Sequence, residues 1–396
     1  MTAPRYARRV AVTGVGVVAH AGIGREAFWE GLLTSNPGDA SRRIDNFDPA
    51  PYFENAKDER RTDRFTQLAL VAATEALADA GEMGVDPARF GAFVGTGVGG
   101  LETLEEQIVI RHEKGARRVS PFLVPMMMAN AAAAAVSMRF GLQGPCEATV
   151  TACAAGTHAI GNAGRLIQLG LADVMVAGGS EAAMTQTAMA GFGNMTALST
   201  SGWSRPFDAR RDGFVIAEGA GLLILEEMEH ALSRGAHIYC EYLGSASTAD
   251  AHHITAPAPG GGGAVRSMEL ALADAGLRAS DVRHVNAHGT STPLNDAAES
   301  EAMAKVFGAS GPIVTSTKGV TGHALGAAGG IEGVALALSI DRKLIPPTRG
   351  TEQVDPHMDL DLVLGEPRAW EPGASLSNSF GFGGHNGTIV LSPVVH

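Results

Sequence analysis

The hexapeptide Ala76-Leu77-Ala78-Asp79-Ala80-Gly81 recurs letter for letter as Ala271-Leu272-Ala273-Asp274-Ala275-Gly276. Each copy closes an apolar-periodic run at a glycine, the residue that ends helices in left-handed geometry. Each is followed, across a short loop, by a strand-like run: Phe90-Gly91-Ala92-Phe93-Val94 and Val282-Arg283-His284-Val285. A second match lies further along in the same order, Val150-Thr151-Ala152-Cys153 against Val314-Thr315-Ser316-Thr317. One shared hexapeptide is within reach of chance in an alanine-rich chain, but two matches in order point to duplication. The chain is thereby constrained to two similar halves, which we place at residues 1–235 and 236–396. The distance between copies is shorter at the second match, so the first half carries extra chain. We place this insertion at about 101–144, where a charged loop, Arg111 to Arg118, precedes the helix-like run Pro125 to Ala131.

Both halves alternate strand and helix patterns. Strands are expected at 9–13, 90–95, 174–177 and 221–226 in the first half, and at 240–245, 282–287, 313–316 and 387–392 in the second. Helices are expected at 64–80, 157–169, 262–275, 296–306 and 326–340. This is an α/β plan with sheets covered by helices. Halves stacked sheet over helix over sheet would draw a site at their junction from both.

Composition narrows the function. The net charge of −12 argues against non-specific nucleic-acid binding. Three cysteines in a long chain argue against a disulfide scaffold, and Cys146 and Cys240 have no metal-ligand spacing with Cys153. The basic start is followed by only a short apolar run, which reads as a first strand and not a signal peptide. No uninterrupted apolar stretch reaches the length of a membrane span. A reducing, cytoplasmic setting fits these features. None of the glycine-rich runs has a phosphate-loop pattern, and Gly95-Thr96-Gly97-Val98-Gly99-Gly100 is a weak dinucleotide match.

Three polar turns carry candidate chemistry. In Val150-Thr151-Ala152-Cys153-Ala154-Ala155-Gly156 an apolar approach meets a cysteine, then small residues and a helix pattern. A thiol there lies in the positive field of a helix N-terminus, which favours the nucleophilic thiolate. A lone cysteine is more often a buried structural residue, so this turn alone leaves both readings open. Asn286-Ala287-His288-Gly289-Thr290 places a histidine at a strand end, and Lys318-Gly319-Val320-Thr321-Gly322-His323 places another between strand and helix. A histidine in the first turn of a helix is held neutral by the helix dipole. The ending Asn378-Ser379-Phe380-Gly381-Phe382-Gly383-Gly384-His385-Asn386-Gly387 reads as a loop whose glycines free backbone N–H groups to converge.

Taken together, these motifs resemble the elongating β-ketoacyl-acyl-carrier-protein synthases, of the synthase II type and its type II polyketide relatives. The resemblance runs from Val10-Ala11-Val12-Thr13-Gly14 to the Phe-Gly-Phe-Gly-Gly ending. It implies a thiolase-like fold, with two duplicated halves in a five-layer α-β-α-β-α arrangement. It also implies a homodimer, or a heterodimer with a chain-length-factor homologue. By the same resemblance Cys153 accepts the acyl chain, and His288 and His323 bind the malonyl thioester and assist decarboxylation. Lys318 is the ordering charge near His323, and Glu332 matches a buried acidic residue. The N–H groups of Cys153 and Phe382 form an oxyanion hole, and Phe380 and Phe382 belong to a gating loop. Val98, Met126, Met127, Met128 and Phe192 line the acyl pocket, with Val98 standing where a bulkier Ile is common. Substrates arrive on the phosphopantetheine of an acyl carrier protein, with no metal or redox cofactor required. Lys57, Arg60, Arg61, Arg64, Arg117 and Arg118 form basic patches able to dock an acidic carrier. Thr196 replaces a carrier-contacting Arg of some members, and His385 replaces a commoner Thr. Initiating synthases pair Cys with His and Asn, thiolases use a second Cys, and chain-length factors lack the nucleophile. The intact Cys, His, His set therefore favours a condensing enzyme over a non-catalytic partner subunit or a thiolase-like acyltransferase.

Overall fold

The computed structural model describes residues 6, 8–35, 41–308 and 311–394. Ten strands carry the architecture. The first half runs β1 (Val10–Ala19), α1 (Arg64–Ala80), β2 (Phe90–Gly95), α2 (Leu101–Lys114), β3 (Cys146–Glu147), α3 (Ala155–Gln168), β4 (Val174–Glu181) and β5 (Gly219–Glu227). The second runs β6 (Cys240–Ala249), α4 (Gly262–Ala275), β7 (Val282–Asn286), α5 (Pro293–Phe307), β8 (Ile313–Thr315), α6 (Ala328–Asp341), β9 (Ala374–Gly381) and β10 (His385–Ser392).

The sheet order exposes the duplication. From the middle outward one half reads β1-β5-β4-β2-β3 and the other β6-β10-β9-β7-β8. The sense of pairing matches strand for strand. The inner pairs are antiparallel, while β4–β2–β3 and β9–β7–β8 are parallel. The half-sheets join along a short antiparallel contact, Val10 to Val12 against Tyr242 to Cys240. Helices α3 and α6 pack on each other between the half-sheets, α1 covers the outer face of one, and α4 that of the other. The result is five layers, as the family resemblance implied.

Position in this stack dictates sequence character. Every residue of the central α6 except Asp341 is buried, so it is apolar all round and not amphipathic. Its approach to its neighbours depends on missing side chains. A Cβ on Gly156 of α3 would stand 2.7 Å from Gly330 N of α6, and one on Gly330 would stand 2.5 Å from Gly179 N of β4. The outer α1 starts where Asp63 accepts from Phe65 N and stops where Gly81 takes φ 75°. The repeated hexapeptide in α4 also stops at a positive-φ glycine, Gly276, φ 69°, though only Gly276 takes the left-handed helical conformation. Both are the ends the glycines forecast.

Three expectations change. Residues 111–114 are the last turn of α2, not a loop, and Ala116–Arg118 form a 3-10 turn. Only Thr103 and Gln107 of α2 are buried, so its exposed charged face left no apolar period to read. The polar segment ahead of Phe382 is strand β9, not loop, and the turn is confined to Phe382–Gly384. The apolar approach to Cys153 is not a strand up to the turn, because β3 is only Cys146–Glu147.

Candidate active site

Cys153 lies in the 3-10 turn Ala152–Ala154 that feeds α3, and it is 5 % exposed. The residue before it, Ala152, is held at φ 49°, a left-handed conformation that costs an alanine on the order of 1 kcal/mol. That bend turns the thiol out of the β3 side of the sheet toward the second half. Gly381 backs it closely: a Cβ there would lie 3.0 Å from Cys153 N. The backbone N–H groups of Phe382 and of Cys153 itself both bond toward the sulfur.

The two histidines come from the second half. His288 follows β7, where Glu299 of α5 accepts from His288 N at 2.7 Å and Gly289 N at 2.8 Å. His323 is pinned by backbone bonds to Val215 O and from Ala217 N. Its Nε2 is 3.1 Å from Cys153 Sγ. Lys318 Nζ is ion-paired with Glu332, and both are buried. The same ammonium is 3.4 Å from His288 Nδ1, and its charge acts on His323 as well. Rings pack edge to face in a row: Phe192–Phe214 at 5.6 Å, Phe214–His323 at 5.2 Å, His323–His288 at 5.3 Å and His288–Phe380 at 5.8 Å.

Electrostatics here are governed by burial. Both imidazoles are pushed well below 6.5, first by desolvation and then by the Lys318 charge, so both are neutral near pH 7. The helix dipole is not the cause for His323, which precedes the turn Leu325–Ala327 and stands outside α6. Burial also lifts the Cys153 thiol to about 11, against the opposing pull of Phe382 N–H and Lys318. The thiolate expected from the helix field is therefore not the resting form. A protonated thiol faces a neutral imidazole.

A cavity of about 630 Å³ opens onto Cys153, His288, His323, Phe380 and Phe382, and runs outward past Thr290 and Thr292. It does not reach Val98, Met126, Met127 or Met128. Val98 is 49 % and Met128 42 % exposed, so the chain forms no enclosed pocket around them. The methionine segment does adjoin Val98, because Gly100 N donates to Met127 O at 3.1 Å. Phe192 packs with Leu101 against Cys153, Ala183 and Leu325. Among the basic residues, Arg64 is committed inward, with two 2.7 Å contacts to buried Glu218. Lys57, Arg60, Arg117 and Arg118 are exposed, and Arg61 lies over the Phe122 ring at 4.1 Å.

Sequence reasoning missed Glu299, Phe214 and His158. His158 joins Thr151 Oγ1 at 2.8 Å to Asn386 O at 3.1 Å and so links the cysteine turn to β10. Glu299 sits in α5, behind the His288 turn, a spacing that only the fold brings together. Cys153, His288 and His323 present one sulfur and two nitrogens within 4.8 Å of one another. These are donor types zinc accepts, but the Lys318 ammonium beside His288 opposes a second cation there.

Comparison with known proteins agrees with this geometry. Residues 34–231 match the model of the beta-ketoacyl synthase N-terminal domain, and residues 239–352 match that of the C-terminal domain. The chain is 46 % identical over 409 residues to the 3-oxoacyl-[acyl-carrier-protein] synthase 2 of Synechocystis sp., covering 97 % of this chain and 98 % of that one. The solved ishigamide ketosynthase/chain length factor superposes with a TM-score of 0.92 at 30 % identity, covering 98 % of this chain and 100 % of that one. A type II polyketide ketosynthase, bound to a hexaketide and in complex with its acyl-carrier protein, superposes at 0.89 and 34 % identity over the same shares. With two family domains matched across its halves and a buried Cys, His, His site at their junction, the chain belongs to the beta-ketoacyl synthase family.

Proposed function

We propose that this chain catalyses decarboxylative Claisen condensation of an acyl chain with malonyl-acyl-carrier protein, in type II fatty-acid or polyketide synthesis. The observation that carries the reading is the 3.1 Å contact between Cys153 Sγ and His323 Nε2, inside a buried site where N–H groups face the sulfur. In the first half-reaction the thiol passes its proton to His323 Nε2 as sulfur attacks the acyl thioester carbonyl. The oxyanion forms at the N–H groups of Cys153 and Phe382. The carrier thiol leaves with a proton, and the acyl group stays on Cys153. Malonyl-carrier then enters. Neutral His288, and His323 once its ring proton has moved from Nδ1 to Nε2, donate to its thioester oxygen, and the electron pair freed as carbon dioxide departs is held as an enolate. That carbon attacks the Cys153 thioester, a C–C bond forms, and the cysteine sulfur leaves as thiolate and takes up a proton from solvent, the one proton the cycle consumes. Burial, with the Lys318 charge behind it, keeps both imidazoles neutral, and Glu332 balances Lys318. No metal or redox cofactor takes part.

The exposed cations Lys57, Arg60, Arg117 and Arg118, with Arg61 over Phe122, are the carrier-docking surface in this reading; Arg64 is not part of it. A second chain, identical or a chain-length-factor homologue, covers Val98, Val124, Met128 and the exposed edge strand β3. The acyl pocket is completed between the two chains. No helix among the described residues is long and apolar enough to cross a membrane, and we place the protein in the cytoplasm. The test is mass spectrometry of products formed by purified chain, carrier and malonyl units, with and without a partner homologue. A β-ketoacyl-carrier product and an acyl group on the Cys153 peptide are expected. Acyl transfer to carrier without chain extension would overturn the reading.

A further inference from the structure

Glu181, the last residue of β4, is fully buried at the seam between the halves. Its carboxylate accepts from Thr96 Oγ1 at 2.9 Å, Gly97 N at 2.5 Å, Val98 N at 3.4 Å and Gly326 N at 3.0 Å. The first three donors belong to the loop after β2 that carries Val98. The fourth follows His323 in the second half. None of the four is charged, so the carboxylate acts as a clamp between two loops and not as half of an ion pair. Space is tight around it: a Cβ on Gly97 would lie 2.7 Å from Glu181 Oε2, and one on Gly326 2.3 Å from Gly97 N. Just past Glu181, Ala183 packs with Cys153 and Leu325.

We propose that Glu181 is a positioning residue for the condensation, clamping the Val98 loop of the acyl pocket to the turn after His323 and thereby fixing the Cys153–His323 contact. This rests on the condensation reading above. Because acceptors are needed at both oxygens, an amide is a poor substitute: its NH₂ would face N–H or O–H donors. Burial lifts Glu181 to about 7, so it is ionised where the thiol titrates, and its charge raises the thiol further. The other charged and titratable groups around that sulfur are Lys318, which is paired with Glu332, and His288 and His323.

The experiment compares Glu181→Asp, Glu181→Gln and Thr96→Val in the full chain. Two readouts are followed: acyl transfer onto Cys153 across primer lengths, and the pH midpoint for iodoacetamide labelling of the Cys153 peptide. Losing one charge-assisted bond slows transfer about tenfold. Glu181→Gln is expected to slow transfer at least that much and to move the labelling midpoint to lower pH. Glu181→Asp keeps the charge but shortens the reach, so transfer slows while the midpoint holds. Thr96→Val, the mildest change, slows transfer of long primers more than short ones with the midpoint unmoved. Wild-type transfer rates in Glu181→Asp and Thr96→Val would overturn the proposal. A midpoint that moves equally in Asp and Gln variants would also overturn it, because that reports loosened packing alone. Labelling needs no condensation, so a wild-type chain that fails to elongate yet shows this labelling pattern sinks the assigned reaction and not the clamp.

Discussion

Whether Cys153 rests as thiol or thiolate determines how acylation begins, and it can be measured directly. Burial raises its pKa from 9.0 to about 11. The thiolate fraction at neutral pH is then roughly a hundredfold below that of an ordinary thiol, or about 2.7 kcal/mol at 1.36 kcal/mol per tenfold. At that deficit the favoured route passes the proton to His323 Nε2, 3.1 Å away, as the bond to the acyl carbon forms. Iodoacetamide reacts with free thiolate and reads the fraction. Because exposed Cys146 also reacts, labelling is followed on the Cys153 peptide by mass. Its rate constant should climb about tenfold per pH unit from about pH 6 to about pH 10 with no plateau. His323→Ala should keep that slope while acyl transfer at pH 7 falls by about 10²–10⁴. A labelling plateau reached below about pH 7 would reveal a standing thiolate–imidazolium pair and refute the dominance of burial.

Other outcomes follow from the same geometry. His288 is farther from the nucleophile than His323, so His288→Ala should still accept acyl groups onto Cys153 while elongation drops by about 10²–10³; single-turnover acylation and carbon dioxide release separate the steps, and normal release would remove His288 from the malonyl step. Val98→Phe should shorten the longest accepted primer and spare acetyl transfer; equal primer profiles would mean that the covered face is not the acyl pocket. His284 is buried with both ring nitrogens unpartnered, against Trp370 at 5.4 Å, so His284→Phe should stabilise the fold by about 1 kcal/mol near pH 7. Burial depresses His284 from 6.5 to about 3, so the unfolded chain takes its proton first and wild-type stability is lost as pH falls below 6.5. The advantage of the variant should therefore widen by about 1.4 kcal/mol per pH unit below that point; denaturant melts at two pH values check it, and a constant difference would count against the buried neutral ring.

What could be read from the chain alone follows the physics of each segment. α1 and α4 were legible to the residue because Asp63, Gly81 and Gly276 mark their ends in the sequence itself. β9 was not, because its serines and asparagine are buried and satisfied across strands and helices: Ser379 Oγ meets Thr157 Oγ1 at 2.7 Å, and Asn378 Oδ1 accepts from Thr388 Oγ1 at 3.0 Å. Polarity there reports internal bonding and not exposure. Cys153, His288, Lys318 and His323 stood out as polar residues at turns. Glu181 and Glu299 did not, since a buried carboxylate announces itself only when the loops that donate to it are known. The direction of the Cys153 shift also lay beyond sequence, because it depends on how much of the second half closes over the turn.

The glycines where α3, α6 and the strands touch backbone to backbone bear on how the halves can change. Each half supplies reactive groups the other lacks, and at these glycines no side chain lies between the backbones to absorb a substitution. A methyl added at Gly156 or Gly179 would have to push the nucleophile's helix away from the histidine's half, and a sulfur–nitrogen contact has no slack to give. Here the register of the reaction is kept by atoms that are not there. The duplicated halves are thus free to diverge on their outer helices and loops, yet are bound to each other along this strip as tightly as the reacting groups themselves. A chimera joining halves from two relatives would succeed or fail on those few hydrogens.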